Sequence, residues 1–199
     1  MKSKALSKKI VAGKFKGKTM LLPSKVTTRS SKTIVLESFF NTLQFDIVDA
    51  TFVEVFSGSG SIGLEALSRG AKRILFMEQD RDALKTLQQN IDQTDPSSCE
   101  VFRGNSFENI NHVKSRLKSL NEKAYFYIDP PFSFRDGMQE IYNNMITLIK
   151  ELPAKAVEII IIEHMTGLEL DETIGSFTKI KSKKFGKTSL TYLAKSDEK

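Results

Sequence analysis

Residues 51–70 of this chain read TFVEVFSGSGSIGLEALSRG, and this stretch decides the fold. Its first part, TFVEVF at 51–56, is an apolar run typical of a buried β-strand. Three glycines follow, at 58, 60 and 63, and a helical sequence runs from there to Arg69. A glycine-rich turn between a strand and a helix lets the backbone approach a ligand closely. The stretch therefore predicts a strand–turn–helix unit of an α/β sheet, with a ligand site at the turn.

Strand-like and helix-like segments alternate through the rest of the chain. Further strands are expected at 73–78, 100–102, 124–128 and 157–163, with helices between them. Two more runs, at 177–185 and 188–194, flank a Gly-Lys pair and predict a hairpin. The pattern predicts an α/β protein with a doubly wound, mainly parallel, seven-stranded sheet that ends in an antiparallel hairpin.

The N-terminal region is strongly basic. Residues 1–32 hold ten of the 30 lysine and arginine residues and no acidic residue, so the net charge of +6 comes from this end. A basic arm on an acidic body favours a polyanionic partner, most simply nucleic acid, over a lysine tail that only aids solubility. Within the arm, 9–22 predicts two short strands after a disordered segment at 1–8, and a helix is expected to follow as far as Leu43.

Length and composition exclude several classes of protein. The 199 residues are enough for one α/β domain with a small appendage. No apolar run approaches the ~20 residues of a membrane span, and no signal peptide is evident. The single cysteine excludes an internal disulfide framework, and both histidines lack an acid or a cysteine at metal spacing. We therefore expect a cytoplasmic monomer that needs no metal and no membrane.

The tetrapeptide Asp129-Pro130-Pro131-Phe132 carries the strongest functional signal. It follows an apolar strand and so lies at the mouth of the expected sheet. The prolines fix φ and bring no N–H group, which makes the turn stiff and rich in hydrogen-bond acceptors. A carboxylate, rigid carbonyl groups and a flat ring suit a planar substrate that bears an amino group. The alternative is a plain loop with two prolines.

Polar residues also follow two other strands of the expected sheet. Glu78 ends the second strand and Asn105 comes after the third, as Asp129 does after the fourth. Because ligands of doubly wound sheets bind beyond the carboxyl ends of the strands, these side chains and the glycine turn are expected to meet at one rim. Glu78, about twenty residues after the first glycine, suits ribose hydroxyl groups. The alternatives are a solvated strand end for Glu78 and loop capping for Asn105.

Together these motifs resemble the class I S-adenosylmethionine-dependent methyltransferases, and more closely the RsmD-type bacterial enzymes that methylate guanine N2 in 16S rRNA. The likeness runs almost end to end, and the glycine-turn stretch is its most specific part. It rests on 10–17 (IVAGKFKG), 37–41 (ESFFN), 56–71 (FSGSGSIGLEALSRGA), 129–132 (DPPF) and 185–190 (FGKTSL). The resemblance implies a Rossmann-like fold, S-adenosylmethionine as methyl donor, and 16S rRNA or an assembling small ribosomal subunit as partner.

The resemblance also implies a role for each motif residue. Asp129 and Pro130 would orient the guanine amine, and Phe132 would stack on the flipped base. The methionine part of the donor would be bordered by Glu54, Ser57, Gly58, Ser59 and Gly60. Its ribose would be held by Glu78, and its adenine would be faced by Asn105 with Ser106 behind it. RNA contacts would fall to Lys9, Lys14, Lys16, Lys18 and Arg29. The chain would thus divide into a basic hairpin and helix that contact RNA, 1–45, and a methyltransferase domain, 46–199.

Three features depart from the family's pattern. Ser30 stands where the family has a proline, and Ile34 and Leu36 stand where it carries further arginines. These two departures concern the details of RNA contact. The third is Asn105, which replaces an aspartate after the third strand, although an amide can still pair with the edge of an amino-purine.

Other functions stay open from the sequence. Asp-Pro-Pro-aromatic motifs serve amino-group methylation broadly, so adenine N6 of DNA or RNA, or a protein amide nitrogen, is an alternative acceptor. A non-catalytic RNA-binding module for ribosome assembly is another alternative, against which the intact glycine turn and Asp129 argue. An NAD-linked dehydrogenase shares the glycine pattern but would need a histidine near the rim as acid or base, and none is evident there.

Overall fold

The structure, a computed structural model, describes residues 6–23, 31–43, 46–131 and 138–196, with the backbone alone described at 31–33, 138 and 139. The helices and strands of the described residues are β1 (Ser7–Lys9), β2 (Thr19–Leu21), α1 (Ser31–Thr42), β3 (Thr51–Val55), α2 (Ser61–Ser68), β4 (Arg73–Glu78), α3 (Arg81–Asp92), β5 (Cys99–Arg103), α4 (Ser106–Leu120), β6 (Ala124–Ile128), α5 (Met138–Glu151), β7 (Val157–Met165), β8 (Thr173–Ile174), β9 (Phe177–Phe185) and β10 (Thr188–Lys195).

One large sheet organises the described part of the chain. Its order is β5-β4-β3-β6-β7-β10-β9-β8. Strands β3 to β7 run parallel, and β10 returns antiparallel between β7 and β9. The predicted doubly wound, mainly parallel α/β fold with a C-terminal hairpin is confirmed. The sheet has eight strands where seven were predicted, because β8 adds two residues at the edge, too few to form an alternating pattern.

The order of the strands reverses at the centre of the sheet, between β3 and β6. From β3 the chain moves outward through β4 and β5, and then returns to build β6 and β7 on the other side. Val55, the last residue of β3, pairs with Met77 of β4 and with Ile128 of β6. Glu78 and Asp129 directly follow these two partners, so both lie level with the start of the glycine turn. Ligands of such sheets bind at this switch in strand order.

Helices cover both faces of the sheet. The N-terminal hairpin, α1, α2 and α3 share one core cluster with Phe52, Phe76 and Tyr127. Helices α4 and α5 share the other cluster with Val53 and Phe126. Because both faces are covered, β3, β4 and β6 are buried along almost their whole length. This explains why their sequences are continuous apolar runs rather than alternating ones.

The N-terminal hairpin, β1 paired with β2, belongs to the folded core. Ile10 and Met20 are each 1% exposed and pack in the same cluster as α1 to α3. The prediction that 1–8 is disordered is therefore wrong for Ser7 and Lys8, which lie in β1. The sequence SKK of β1 has no apolar alternation, and pairing with β2 is what holds it. The division of the chain at residue 45 stays a prediction.

Two side chains of α2 dock the hairpin onto the body of the protein. Glu65 is fully buried and accepts hydrogen bonds from the N–H groups of Val11 at 2.8 Å and Ala12 at 3.1 Å. The Ser68 hydroxyl accepts a hydrogen bond from the N–H group of Phe15 at 2.9 Å and donates one to the carbonyl oxygen of Ala12. The loop of the hairpin is thus fixed on the helix that follows the glycine turn.

Candidate active site and basic surface

The glycine turn has a backbone that requires glycine. Gly58 and Gly60 have φ angles of 56° and 75°, in the left-handed region. A Cβ atom at Gly60 would lie 2.4 Å from Leu87 of α3, and one at Gly63 would lie 2.5 Å from the ring of Phe76. A Cβ atom at Gly58 would meet nothing within 4 Å. The turn is therefore packed tightly against α3 and β4, and it has space beside Gly58.

Glu78 holds the start of this turn. Its carboxylate is 8% exposed and accepts three backbone N–H groups, from Gly58 at 2.6 Å, Gln79 at 2.8 Å and Asp80 at 2.7 Å. An ionised carboxylate offers about four lone-pair sites, so about one stays available to a hydroxyl group. Sequence reasoning named Glu78 as a ribose ligand and did not foresee that it also fixes Gly58.

Glu54 lies beneath the turn and is 4% exposed. At the start of α2 it accepts the N–H group of Gly63 at 2.8 Å and that of Ile62 at 3.3 Å. Burial is the main cause that raises the pKa of Glu54 to about 8; Asp129 adds to the rise, and the two N–H bonds oppose it. The carboxyl group therefore holds its proton at neutral pH.

The two serines of the turn face inward. The Ser57 hydroxyl donates to the carbonyl oxygen of Glu54 at 2.7 Å and accepts from the N–H group of Met77 at 2.9 Å, which ties the turn to β4. Ser59 is 7% exposed, and its carbonyl oxygen accepts a hydrogen bond from the side-chain amide of Asn90 at 2.9 Å. Because the Ser57 hydroxyl is already hydrogen-bonded inside the protein, we expect Ser57 to contact a ligand through its backbone rather than its side chain.

The segment after β5 supplies a helix cap and an aromatic pair. Asn105 is exposed, and its side-chain oxygen accepts the N–H group of Phe107 at 2.9 Å, a bond in which its NH₂ group takes no part. Ser106 is buried behind it. The rings of Phe107 and Phe56 meet edge to face, with centroids 5.4 Å apart. Phe56 has a φ of 61°, and strained non-glycine conformations of this kind cluster at functional sites.

Asp129 and Pro130 lie at the end of the neighbouring strand, β6. Asp129 is partly exposed and Pro130 is buried, whereas Pro131 is exposed. Asp129 is near enough to Glu54 to raise the pKa of that carboxyl group, so the two sides of the rim are in electrostatic contact. Phe132 lies outside the described residues, and its stacking role stays a prediction.

A buried polar pair that sequence reasoning did not name lies next to this strand end. The Tyr127 hydroxyl donates a hydrogen bond to Glu163 of β7, and both residues are at most 2% exposed. Burial, followed by the charge of Glu163, raises the pKa of Tyr127 well above its ordinary value. Tyr127 and Asp129 are two residues apart, so their side chains leave the strand on the same face. An acid at the end of the apolar run VEIIIIE was the available signal for this pair.

Two of the predicted RNA-binding lysines, Lys14 and Lys18, have partners inside the protein. The Lys14 ammonium group lies 4.0 Å from the carboxylate of Asp95, and that of Lys18 donates to the carbonyl oxygen of Gln93. Both also lie over the ring of Phe15, at 5.1 and 5.4 Å from its centroid. These contacts fasten the hairpin loop to the segment after α3.

The other two predicted RNA-binding lysines of the hairpin, Lys9 and Lys16, are exposed, and their ammonium groups form no ion pair within the described residues. Arg29 lies outside those residues. Lys8 of β1 is near enough to Glu54 to lower the pKa of that carboxyl group. The basic surface of the hairpin therefore borders the rim of the sheet.

The described residues contain no cluster of three or more histidine, cysteine, aspartate or glutamate side chains suited to a metal ion. Within the same ranges, no helix has both the length and the apolar character needed to cross a bilayer.

The strand order is that of a Rossmann-like fold, and in this chain the glycine turn and Asp129-Pro130-Pro131 end adjacent central strands. Together with the relatives described below, these features define a protein of the methyltransferase class. Residues 8–194 match the model of the family described as Conserved hypothetical protein 95. The chain belongs to this family, and the resemblance to RsmD-type proteins is confirmed.

Two related proteins and one solved structure support this assignment. The YlbH protein of Bacillus subtilis (strain 168), provisionally named an rRNA methyltransferase, is 25% identical over 189 residues, which are 94% of this chain and 98% of YlbH. The ribosomal RNA small subunit methyltransferase D of Haemophilus influenzae is 32% identical over 138 residues, 67% of this chain and 68% of the relative. The solved structure of the yhhF protein of Escherichia coli, provisionally named a methyltransferase, has a TM-score of 0.74 at 24% identity and covers 97% of this chain and 100% of that chain. This last likeness supports the fold.

Proposed function

We propose that this protein transfers a methyl group from S-adenosylmethionine to the exocyclic N2 amine of a guanine in 16S rRNA. One observation carries the proposal: the glycine turn follows β3, and Asp129-Pro130 follows β6, the strand paired with it. Paired strands lie only about 4.8 Å apart, so a ligand on the turn and a base held at Asp129 would touch. The names of the relatives support rRNA as the substrate class.

The donor, when bound, supplies a methyl group already activated on a sulfonium, so no covalent enzyme intermediate is required. The open side of the turn at Gly58 suits the methionine part of the donor. Glu78 retains about one lone-pair site for a ribose hydroxyl group. The NH₂ group of Asn105 suits the edge of an adenine, and the Phe56–Phe107 pair offers an apolar surface nearby.

The acceptor amine is a weak nucleophile because its lone pair is delocalised into the guanine ring. The Asp129 carboxylate and the Pro130 carbonyl oxygen would accept hydrogen bonds from the amine and turn its lone pair towards the methyl carbon. Phe132 would stack on the everted base. After transfer the amine is cationic and loses one proton, for which Asp129 or solvent is the acceptor. Positioning and electrostatics at the amine would supply most of the rate.

The basic hairpin would hold the RNA beside the rim, because the side chain of Asn90 joins Leu21 of β2 to the carbonyl oxygen of Ser59 in the glycine turn. Residues 1–45 would thus form the RNA contact and 46–199 the methyltransferase domain. We expect a cytoplasmic monomer that acts without metal or membrane on 16S rRNA, either free or within an assembling small subunit.

A transfer assay with labelled S-adenosylmethionine tests the proposal. Naked 16S rRNA, small subunits and partly assembled particles are offered separately, and the modified nucleotide is then mapped. We expect label on N2 of a guanine in at least one of these substrates. Label on adenine N6 would mean that adenine N6, and not guanine N2, is the methyl acceptor. If the protein neither binds the donor nor transfers a methyl group to any of them, the result favours the non-catalytic RNA-binding module and contradicts the proposal.

A further inference from the structure

Asn90 is a polar residue of α3 that is buried to 1% exposure. Its side-chain oxygen accepts the N–H group of Leu21 at 2.8 Å, and its side-chain nitrogen donates to the carbonyl oxygen of Leu21 at 2.9 Å. The same nitrogen donates a second hydrogen bond to the carbonyl oxygen of Ser59, also at 2.9 Å. An amide nitrogen has two N–H groups, so both are used. One side chain therefore joins the hairpin to the glycine turn.

At the turn, Asn90 binds the carbonyl end of the peptide group between Ser59 and Gly60, and the N–H end of the same peptide group is also hydrogen-bonded. The carbonyl oxygen of Ser59 is bound by Asn90, and the N–H group of Gly60 donates to the carbonyl oxygen of Ser57 at 2.8 Å. The peptide group between Ser59 and Gly60 cannot rotate unless both hydrogen bonds break. Because Gly60 also lies against Leu87, α3 supports the turn by packing as well as by hydrogen bonding.

At the hairpin, Asn90 takes the place of a neighbouring strand. Leu21 belongs to β2, whose only strand partner among the described residues is β1. The side-chain amide of Asn90 binds both the N–H group and the carbonyl oxygen of Leu21, as the backbone of a paired strand would. This anchor is separate from the one that Glu65 and Ser68 of α2 provide at the hairpin loop.

We propose that Asn90 is a positioning residue shared by the two binding surfaces. It fixes the backbone of the glycine turn for the methyl donor and the register of β2 for the RNA, so its loss weakens both ligands together. The inference rests on the proposed function, because it takes the turn as the donor site and the hairpin as the RNA surface. Ser68 provides a matched comparison, since its hydroxyl holds the hairpin and, within the described residues, forms no hydrogen bond with the turn.

The experiment compares Asn90→Ala with Ser68→Ala. Donor affinity is measured by calorimetry with S-adenosylhomocysteine, and RNA affinity by anisotropy with a labelled oligoribonucleotide of mixed sequence. In Asn90→Ala we expect both dissociation constants to rise about tenfold, the effect of losing one or two buried hydrogen bonds. In Ser68→Ala we expect only the RNA dissociation constant to rise. Amide hydrogen exchange at Gly60 should accelerate in the first variant and not in the second.

If Asn90→Ala does not fold, Asn90→Gln takes its place. This variant keeps the amide on a side chain one methylene longer, and we expect it to lose affinity for both S-adenosylhomocysteine and RNA. The inference is overturned if the Asn90 variant weakens the donor no more than Ser68→Ala does, or if exchange at Gly60 is unchanged. Failure of the proposed function looks different, because it appears in the unaltered protein, as an absence of S-adenosylhomocysteine binding or of methyl transfer to guanine N2.

Discussion

The two sides of the rim are built on different principles. On the side of the glycine turn, nearly every polar group has a partner inside the protein: Glu78 accepts three backbone N–H groups, Glu54 accepts two, and the Ser57 hydroxyl joins β3 to β4. On the other side, Asp129 is partly exposed and is followed by the exposed Pro131. The comparison indicates that the glycine-turn side, where we propose that the donor binds, is preorganised by buried bonds. The Asp129 side, the proposed acceptor side, is more open to solvent.

The largest effect is expected on the acceptor side. Asp129→Ala removes the carboxylate that would orient the amine, so we expect the rate of methyl transfer to fall about 10³-fold. Affinity for S-adenosylhomocysteine should stay within about twofold, because Glu78, Glu54 and Ser57 keep their hydrogen bonds to the backbone of the turn and of β4 in this variant. Single-turnover kinetics and calorimetry measure the two quantities.

Glu78→Gln is the matched control for that variant, since it should show the opposite pattern. An amide in place of this carboxylate offers an NH₂ group where an N–H group of the turn needs an acceptor, and donor affinity should fall about tenfold. If both variants lost donor affinity equally, the two sides of the rim would not be separate, and the comparison would fail.

The next effect concerns stability and pH on the donor side. The pKa of Glu54 is about 8 in the folded protein, against an ordinary value of 4.5 that applies to the unfolded chain. Between these values the unfolded chain has lost the proton that the folded protein keeps. A rise in pH across this window therefore destabilises the fold, by up to about 1.4 kcal/mol per pH unit.

Glu54→Gln removes this dependence. The difference in free energy of unfolding, variant minus unaltered protein, should increase from pH 4.5 upward and should be about 3 kcal/mol larger at pH 7 than at pH 4.5. Urea unfolding of both proteins at several pH values provides the measurement, and only the pH-dependent part of the difference is compared. A difference that is constant from pH 4.5 to pH 8 would mean that Glu54 is ionised in the folded protein.

Local sequence signals predicted the parts of the rim that are encoded locally. The glycines suit the positive φ angles of a tight strand-to-helix turn. Asp80 is an acid directly before a helical sequence, and it caps α3 by accepting the N–H groups of Asp82 and Ala83. The positions of Glu78 and Asp129 at one edge follow from the alternation of strands and helices, which places the carboxyl ends of parallel strands together.

Contacts between distant segments were not predictable in this way. Asn90 binds residues 69 and 31 positions away in the chain, so no local pattern distinguishes it from another polar residue of a helix. β1 has a wholly polar sequence and β8 has two residues, so neither has an apolar period to detect. The roles of the site residues in binding donor and RNA stay predictions, and they are the subject of the tests.

The smallest effect extends the comparison to the hairpin, where lysines with internal partners stand beside lysines without them. All four lysines are exposed, but only Lys14 and Lys18 have internal contacts, with Asp95, Gln93 and the ring of Phe15. Lys9 and Lys16 form no ion pair within the described residues. We expect the lysines without internal partners to bind the RNA phosphates. Replacing Lys9 and Lys16 together with alanine should then reduce the magnitude of the slope of log affinity against log salt by about 1.5, because each lost phosphate contact reduces it by about 0.7 to 0.9.

The matched double replacement at Lys14 and Lys18 should leave that slope nearly unchanged and lower the free energy of unfolding instead. RNA titrations at several salt concentrations measure both slopes, and equal losses would mean that internal contacts do not decide which lysines bind RNA.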